Sequence, residues 1–539
     1  MRWGLVFCAA LGLCAASPPA WFPGAELLVF AGWMAFYALA TGEAGEKRKR
    51  AVYLVGLAHM LFFSYSLRHI TLLAYIGVGL LGGLYYVLAA VWTRALGRVI
   101  PSSIAFGLAL AGVHWMRGHF VEIQYPHVQP AHCLWEWPVL LGGLRWGGEI
   151  FVNVLIGVLA GASVDLYRAW RVGRPAHRRS LIVLLVTVGV YAASMIPAGT
   201  QTEGPTKTVR MLLFEPRIRP FTRPETQRGL VLDRVFYPTK RLAGPDAPNP
   251  PDLVIWPEGI CAHRVTGSSE SPVVHPIPRK AELKFALARN TRLIEGGILE
   301  RKGARPIVVA LLVDDRGRYV GHHEKQHVVP GGEHQPFLDY LPKSWSDWVR
   351  RWFEEAMGVY LPETAPGSPR PLLETADGVR FGAMICYDNA FPDVTEDLAA
   401  KGAAFIVVIS NENWYRGGAE LQQMVALTVC RALESRLPIV RCTVDGATVV
   451  VGPDGRLRDG LPFPPKSYES GEKLEVELRV PEVGQGAVPW LRPLVTWVVL
   501  LSLLGLLALL RRSWDTLRRP KSPSGGVSSG DPLDAVSGP

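Results

Sequence analysis

Three side chains with complementary chemistry lie in separate strand-and-loop settings in the middle of this 539-residue sequence. Glu258 ends the segment VIWPE, Lys325 ends RYVGHHEK, and Cys386 ends VRFGAMIC. A cysteine attacks a carbonyl carbon as the thiolate, so a carboxylate that accepts its proton raises the reactive fraction. An ammonium group near the developing oxyanion stabilises the tetrahedral intermediate. These residue types are therefore suited to acyl transfer from an amide or an ester through a cysteine.

The segment between about 205 and 490 has the pattern of elements that would hold such residues at one sheet edge. Strands that are apolar throughout, such as DLVIWP and AFIVVIS, alternate with amphipathic helices, which predicts an α/β sandwich covered on both faces. Cys386 is expected at a strand–turn–helix junction, where a helix N-terminus favours the thiolate. Glu258 and Lys325 are expected near the same edge. The sequence contains neither a glycine-rich phosphate loop nor a dinucleotide-binding fingerprint.

Hydrophobic residues make up 49% of the chain and concentrate in roughly the first 200 residues and again near 494–510, as in a membrane protein. Eight apolar runs predict membrane helices, at about 3–16, 22–40, 51–67, 70–92, 101–115, 149–166, 181–197 and 494–510. The first run also fits a signal peptide. If all eight span, the loops richest in Lys and Arg share one side, the cytoplasm by the positive-inside rule. The segment 198–493 then lies on the opposite face, and a lipid is the expected acyl donor or acceptor.

We predict four parts in the chain. They are an N-terminal transmembrane bundle of about seven spans (1–200), a catalytic domain (201–493), a C-terminal transmembrane helix (494–511) and a disordered cytoplasmic tail (512–539). The net charge of +10 comes from basic residues beside the apolar runs, where they set topology, so no nucleic acid partner is predicted. The seven cysteines form no CxxC pair and no zinc-like Cys/His cluster, so neither a metal nor a disulfide framework is expected.

The strings WPEG, HHEKQHVVPGGEHQPF and ICYD resemble the Glu–Lys–Cys motifs of the nitrilase, or carbon–nitrogen hydrolase, superfamily. With its flanking membrane helices, nearly the whole chain resembles the membrane-embedded branch of that superfamily, the apolipoprotein N-acyltransferases. The resemblance implies a nitrilase-like αββα sandwich with Cys386 as nucleophile, Glu258 as general base and Lys325 as the oxyanion-stabilising cation. It also implies auxiliary active-site roles for Glu333, Tyr387, Asp388 and Trp414. Asp388 departs from the pattern, because many relatives have Glu there.

The same resemblance implies an activity. A fatty acyl chain would pass from a phospholipid, with phosphatidylethanolamine as the expected donor, through a thioester on Cys386 to the α-amino group of the lipidated N-terminal cysteine of a lipoprotein. The expected acceptors are diacylglyceryl-modified apolipoproteins, and no cofactor is expected. We expect a monomer in the bacterial cytoplasmic (inner) membrane with a periplasmic catalytic domain. Two alternatives stay open: a membrane-tethered amidase or hydrolase that passes its thioester to water, and a catalytically silent lipid-binding membrane protein.

The segment KSWSDWVRRWFEEAMG between the lysine and the cysteine predicts one more helix. Trp345, Trp348 and Trp352 recur at positions i, i+3 and i+7, so they share one helix face. One interpretation is a helix packed on the core of its own domain. The other is an interfacial helix that places the three Trp side chains in the outer leaflet, where they contact lipid and cover the acyl chain.

Overall fold

A computed structural model of the chain describes residues 2–42, 46–70, 72–173, 177–196, 205–219, 222–260, 264–275, 286–357, 363–416, 418–464 and 467–518. Helices make up the part before residue 200, a two-sheet domain follows, and a long helix ends the described chain. Cys261, the far end of the predicted tail (519–539) and the side chains beyond Arg511 lie outside what is described.

In the described residues, seven α-helices precede the first strand, and each overlaps one of the apolar runs. They are α1 (Arg2–Ala16), α2 (Leu28–Ala40), α3 (Glu46–Phe63), α4 (Leu72–Leu96), α5 (Ser102–His119), α6 (Leu144–Val172) and α7 (His177–Ser194). Small residues let these helices approach closely: a Cβ atom added to Gly157 of α6 would lie 2.7 Å from the Cα of Gly107 on α5. The 120–143 connection between α5 and α6 contains only short 3₁₀ helices.

Three helices in the described part of the chain are long and apolar enough to cross a membrane: Leu72–Leu96, Leu144–Val172 and Arg492–Arg511. The predicted count of about eight spans is therefore not confirmed. Helix length gives the physical reason for part of the difference. The 13 residues of α2 extend about 20 Å at 1.5 Å per residue, which is less than the ~30 Å hydrocarbon core.

The following domain alternates strands and helices. In chain order these are β1 (Thr206–Glu215), α8 (Pro224–Val231), α9 (Tyr237–Ala243), β2 (Leu253–Ile255), β3 (Arg264–Gly267), β4 (Pro272–His275), β5 (Arg292–Glu300), β6 (Ile307–Val313), β7 (Tyr319–Glu324), α10 (Lys343–Met357), β8 (Leu373–Glu374), β9 (Arg380–Ile385), α11 (Pro392–Ala400), β10 (Ile406–Ser410), α12 (Glu420–Ser435), β11 (Ile439–Thr443), β12 (Val449–Val451), β13 (Leu457–Gly460), β14 (Glu472–Pro481) and α13 (Arg492–Arg518). Helix α13 continues into the segment predicted as a disordered tail.

The strands form two sheets. One has the order β14-β1-β2-β5, with β6 and β7 continuing from β5 and the β3–β4 hairpin pairing with the far end of β5. The other has the order β13-β12-β11-β10-β9-β8. Leu213 and Ile255 of the first sheet and Ile385 and Ile409 of the second belong to one buried cluster, so the sheets pack face to face. Helices cover both outer faces, which is the expected α/β sandwich.

Helix α12 joins the domain to the N-terminal helical bundle. Its residues Val425, Val429 and Leu433 lie in the same apolar core as Leu134 and Leu141 of the connection between α5 and α6. Every residue of α12 except Gln422 is buried. The outer helix layer of the second sheet is therefore also the surface on which the helical bundle packs. The division into four domains at the predicted boundaries remains a prediction.

Candidate active site

The three reactive residues each follow the carboxyl end of a strand. Glu258 lies three residues after β2, Lys325 follows β7 directly, and Cys386 follows β9 directly. Strands β2 and β7 run in the same direction in the first sheet, because β2 is parallel to β5 and two antiparallel pairings separate β5 from β7. The structure thus brings together the side chains that the sequence predicted at one edge.

Lys325 is the centre of the charge cluster. Its side chain is 1% exposed, and its Nζ atom lies 2.6 Å from Oε1 of Glu333 and 3.3 Å from Oε1 of Glu258. Burial lowers the pKa of the ammonium group, but the two carboxylates and the neighbouring Cys386 together raise that pKa well above its ordinary value. Lys325 therefore stays positively charged, as an oxyanion-stabilising group must be.

Glu258 is held in a narrow space between strands. Its Oε2 atom accepts a hydrogen bond from the backbone N–H of Asn411 at 3.1 Å. A Cβ atom added to Gly296 of β5 would lie 2.8 Å from the Cα of Glu258, so this close approach requires glycine. Burial raises the pKa of Glu258, Lys325 opposes that rise, and Glu333 adds to it. A carboxylate with a raised pKa is a stronger base than an ordinary glutamate.

Cys386 begins a short 3₁₀ helix, Cys386–Ala390, and its backbone φ of +47° lies in the left-handed region. Non-glycine residues rarely adopt that region, and such residues are common at active sites. Burial and the negative charge of Glu258 raise the pKa of the Cys386 thiol to about 12, while Lys325 lowers it. The prediction that a helix N-terminus favours the thiolate is therefore wrong for this structure. Burial dominates, and the thiol keeps its proton until a base removes it.

Asp388 joins the turn that begins at Cys386 to the loop after Lys325. Its side chain is fully buried, and its Oδ1 atom accepts hydrogen bonds from the backbone N–H groups of Gln326 at 3.0 Å and His327 at 2.9 Å. Its Oδ2 atom accepts one from the N–H of Ile385 at 3.2 Å. The shorter acid that departs from the family pattern thus reaches three backbone donors from within the turn. It acts on the positions of other residues.

The other auxiliary residues take different places. Glu333 contacts Lys325, and its second carboxylate oxygen accepts a hydrogen bond from the N–H of Val329 at 2.9 Å. Tyr387 is buried, and its hydroxyl donates to the carbonyl of Gln124 in the connection between α5 and α6 at 2.7 Å. Trp414 lies in the 3₁₀ helix Asn413–Tyr415 after β10 and is partly exposed.

The three Trp side chains of α10 point away from the protein. Trp345, Trp348 and Trp352 are 64%, 60% and 48% exposed, which does not fit a helix face packed on the domain's own core. Arg350 on the same helix lies 3.1 Å from Glu363. The structure therefore leaves the indole rings available to an apolar environment and ties one of the helix's arginines back to the domain.

A carboxylate from the helical bundle holds the chain between Glu333 and α10. Oε2 of Glu122 accepts hydrogen bonds from the N–H of Phe337 at 2.8 Å and from Nε2 of His334 at 3.1 Å, and Oε1 accepts one from the hydroxyl of Tyr340 at 3.2 Å. These bonds, chiefly the one from Phe337, lower the pKa of Glu122. Nothing in the sequence around Glu122 pointed to this contact, because it joins residues more than 200 positions apart.

The sequence interpretation also missed two groups at the end of β10. The hydroxyl of Ser410 hydrogen-bonds the Cys386 thiol, which lowers the pKa of that thiol. Asn411 is the backbone donor to Glu258. Both begin the stretch SNENWYRGG, and β10 pairs with β9, which Cys386 directly follows. A serine at the end of the neighbouring parallel strand was the signal that would have located the first.

Part of the catalytic segment matches a known protein family. Residues 247–465 match the family model described as carbon-nitrogen hydrolase, which spans all three reactive residues. Among solved structures, an amidase variant from Nesterenkonia AN1, of the nitrilase superfamily, is similar over 50% of this chain and 90% of its own, with 19% identity and a TM-score of 0.33.

Curated relatives give the more particular likeness. A protein named apolipoprotein N-acyltransferase from Brucella suis biovar 1 is 26% identical over 407 residues, which are 72% of this chain and 70% of that protein. Apolipoprotein N-acyltransferase 1 from Treponema pallidum is 36% identical over 132 residues, 24% of this chain and 23% of that protein. The resemblance inferred from the motifs is confirmed: the chain contains a carbon–nitrogen hydrolase domain and is similar to apolipoprotein N-acyltransferases.

Proposed function

We propose that this chain is an N-acyltransferase that moves a fatty acyl chain from a phospholipid, through a thioester on Cys386, to the α-amino group of the lipidated N-terminal cysteine of a lipoprotein. The observation that carries this proposal is the buried Glu258–Lys325–Glu333 charge cluster beside a half-buried thiol. The likeness to relatives named apolipoprotein N-acyltransferase supports it. The hydrogen bond from Tyr387 to Gln124, in the connection between α5 and α6, supports a site beside the helical bundle, which suits a lipid substrate.

The first half-reaction forms the acyl-enzyme. Glu258 takes the proton from the Sγ atom of Cys386, and the thiolate attacks the ester carbonyl carbon of the phospholipid. Lys325 stabilises the negative charge that develops on the carbonyl oxygen. The carbon–oxygen bond then breaks, Glu258 returns the proton to the leaving oxygen, and a lysophospholipid departs. Because the thiol pKa is raised, this proton transfer to Glu258 is a required step.

The second half-reaction transfers the acyl chain. The α-amino group of the acceptor attacks the thioester carbonyl, again with the oxyanion beside Lys325. Glu258 accepts a proton from the nitrogen, the carbon–sulfur bond breaks, and the Cys386 thiolate regains a proton. The result is an amide on the lipoprotein and free enzyme, which is a ping-pong cycle. Every proton that moves is carried by Glu258.

Apolar side chains next to the nucleophile favour transfer to an amine over transfer to water. Tyr387, Phe391, Met424 and Leu427 form one buried cluster that continues from the nucleophile turn onto α12. A thioester beside such a wall has little contact with water, and excluding water limits hydrolysis. This observation favours the transferase over the membrane-tethered hydrolase, and the charge cluster favours either enzyme over a silent lipid-binding protein.

The finer assignments form part of the same proposal. We infer that the enzyme lies in the inner membrane with residues 201–493 on the periplasmic side, because the basic loops between the apolar runs then face the cytoplasm. Phosphatidylethanolamine is the proposed donor, diacylglyceryl-modified apolipoproteins are the proposed acceptors, and the working unit is a monomer. The exposed Trp345, Trp348 and Trp352 are the proposed lipid contacts.

The acyl-enzyme is the first test. Purified protein is incubated with acyl-labelled phosphatidylethanolamine, and the adduct is challenged with hydroxylamine, which cleaves thioesters. We expect a hydroxylamine-sensitive label on the wild type and on Cys8→Ala, which removes an exposed cysteine of α1. No label is expected on Cys386→Ala. A wild type that never acquires label contradicts the proposal.

The second test separates transfer from hydrolysis. A diacylated lipopeptide with a free N-terminal amine is added to the labelled enzyme, and the products are weighed by mass spectrometry. The transferase predicts a lipopeptide heavier by one acyl chain. An unchanged lipopeptide with free fatty acid in solution would assign the chain to the hydrolase alternative.

A further inference from the structure

A fully buried charge network joins the membrane helix α6 to the catalytic domain. Nη2 of Arg431 on α12 lies 2.6 Å from Oε1 of Glu149 on α6 and 2.8 Å from Oε2 of Glu434. The side chain of Arg431 is 0% exposed, that of Glu149 is 6% exposed and that of Glu434 is 1% exposed. The backbone N–H of Glu149 also donates to Oε1 of Glu434 at 3.0 Å. Buried charges are retained only where partners compensate their desolvation, so each member depends on the others.

The network extends to the turn that carries the nucleophile. Nη1 of Arg431 donates a hydrogen bond to the carbonyl of Ala390 at 3.3 Å. Ala390 is the last residue of the 3₁₀ helix that begins at Cys386. One guanidinium group therefore contacts a carboxylate of a membrane helix with one nitrogen and the nucleophile turn with the other. Arginine suits this arrangement because its planar fork has donors in fixed directions.

The bundle side of the network is itself held in place. Nε2 of His132 lies 2.9 Å from Oε1 of Glu149, and Nε2 of Gln129 donates to Oε2 of Glu149 at 2.8 Å. The backbone N–H of Gln129 donates to Nδ1 of His132, which leaves Nε2 as the ring's donor to the carboxylate. Gly148, just before Glu149, has a φ of +66° at a kink in α6. The kink and the two donors fix the direction of the Glu149 carboxylate.

A metal ion is the competing explanation for part of this cluster. His132, Glu149 and Cys430 offer ligand atoms within 4.8 Å of one another. The guanidinium of Arg431 already lies against the Glu149 oxygen that a metal would use, and its positive charge repels a cation. The arrangement supports an arginine-bridged network and not a metal centre.

We propose that Glu149 and Arg431 are a positioning pair that sets the nucleophile turn against the membrane bundle. The pair touches no reacting atom in this scheme. It keeps Cys386 in its left-handed backbone conformation, within reach of Glu258 and of lipid arriving along the helices. The proposal rests on the acyltransfer proposed above, but it makes a separate statement about the thiol.

The test measures Cys386 in two ways, in the full-length protein in detergent. The first is the rate of alkylation by iodoacetamide as a function of pH, followed by peptide mapping, which needs no acyl substrate. The second is the rate of acyl-adduct formation per folded molecule. Glu149→Gln is expected to shift the alkylation pH profile and to slow adduct formation about tenfold by misplacing the turn. Arg431→Lys keeps the charge but lacks the fork, and we expect the same effects.

The two substitutions together distinguish a connected pair from two independent residues. If Glu149 and Arg431 act through one contact, the double variant is no slower than the slower single variant, whereas independent effects multiply. Tyr37→Phe is the matched control, because it removes a hydrogen bond to Asp165 at 2.7 Å elsewhere in the bundle. We expect it to leave both Cys386 readouts unchanged even where thermal stability falls.

Several results would overturn the positioning pair. Unchanged alkylation and adduct rates per folded molecule in both single variants would reduce the pair to a purely structural role. If the rate losses of the two single variants multiplied in the double variant, Glu149 and Arg431 would act independently and not as a pair. A stoichiometric metal in the purified wild type that is lost in Glu149→Gln would support the metal centre instead. If Glu149→Gln does not fold, Arg431→Lys and its alkylation profile decide. A shifted alkylation profile in protein that never forms an acyl adduct would support the pair and contradict the acyltransfer proposal.

Discussion

The helical bundle holds two regions of the catalytic domain in different ways. The nucleophile turn, residues 386–390, is fixed by buried groups: Asp388 inside it and Arg431 below it are both fully buried. The outer segment, residues 334–357, is held by Glu122 through hydrogen bonds. Two of its donors are the exposed Tyr340 and His334, whose side chain is 17% exposed. Buried charge-assisted bonds are costly to break, whereas exposed ones compete with water.

This difference assigns separate tasks to the two regions. Reacting groups must keep their distances through a catalytic cycle, so they gain from a rigid frame. A segment that covers a lipid substrate must open to admit and release it, so it gains from few and exposed contacts. The contacts favour a unit in which residues 386–390 are fixed by buried groups, whereas residues 334–357 are held by Glu122 and by partly exposed ion pairs such as Arg350–Glu363.

Lys325→Met should have the largest effect. It removes the oxyanion-stabilising charge, and loss of such a group typically slows chemistry about 10²- to 10³-fold. It also leaves Glu258 and Glu333 as buried neighbours without their cation, so the free energy of unfolding should fall by about 3–5 kcal/mol. Single-turnover adduct formation and thermal unfolding measure the two effects.

Lys401→Met is the matched control for that substitution. Lys401 is the residue directly after α11, and it forms an ion pair with Asp397 of that helix. The site is partly exposed and lies away from the charge cluster. It should change the rate less than twofold, as surface ion pairs contribute little. A Lys325→Met enzyme as fast as Lys401→Met would remove Lys325 from the mechanism.

Asp388→Asn compares the two regions directly. The amide keeps one acceptor oxygen, but its NH₂ group faces backbone N–H donors that it cannot accept from. The free energy of unfolding should therefore fall by about 2–3 kcal/mol. Adduct formation should slow about tenfold, because the turn and the lysine loop lose their common anchor. Tyr340→Phe removes an exposed hydrogen bond of the outer segment and should cost less than about 0.5 kcal/mol. If Asp388→Asn and Tyr340→Phe lowered the free energy of unfolding equally, the proposed difference between the nucleophile turn and the outer segment would be contradicted.

The pH dependence of adduct formation tests the charge cluster. Glu258 must be ionised to accept the thiol proton, and burial raises its pKa, so the acid limb of kcat/KM should lie above the ~4.3 of an ordinary glutamate. Lys325 lowers that pKa and Glu333 raises it. The limb should therefore move to higher pH in Lys325→Met and to lower pH in Glu333→Gln.

The outer segment supplies the control for this pH profile. His334 contacts Glu122 and not the cluster, so His334→Gln should leave the acid limb where it is. Shifts in the same direction for Lys325→Met and Glu333→Gln would show that Glu258 is not the titrating group.

The sequence located the proposed reacting residues better than the groups that position them. Glu258, Lys325 and Cys386 each lie at or shortly after the end of a strand, and such a local pattern can be recognised within one segment. The α/β sandwich followed from the alternation of strands and helices, and the αββα layering was what the family resemblance implied. The contacts of Glu122, Gln124 and Glu149 depend on how the bundle packs against the domain, and local patterns contain no information about that packing.

Hydropathy alone predicted about eight spans, a count that the structure does not confirm, because three helices in the described part of the chain are long and apolar enough to cross a membrane. The thiolate at Cys386 was predicted from a helix N-terminus, but that helix is a short 3₁₀ helix, and desolvation together with the charge of Glu258 raises the pKa of the thiol. In both cases the expectation used a local signal, whereas the outcome depends on a property of the folded chain.

The smallest expected effect is also the most selective. Changing Trp345, Trp348 and Trp352 together to Ser removes the apolar face of α10 without touching the charge cluster. If this face sits in the outer leaflet, the enzyme should use phospholipid in vesicles about threefold less well, because interfacial contact raises local substrate concentration but adds no chemistry. A short soluble ester should react at the wild-type rate.

The control changes three exposed apolar residues of the same domain, Val273, Leu457 and Val483, to Ser, which should alter neither rate. Equal loss on vesicles and on the soluble ester in the Trp variant would make α10 a structural element. A lower rate on vesicles alone would assign the outer segment to lipid binding and leave the chemistry to the nucleophile turn and the charge cluster.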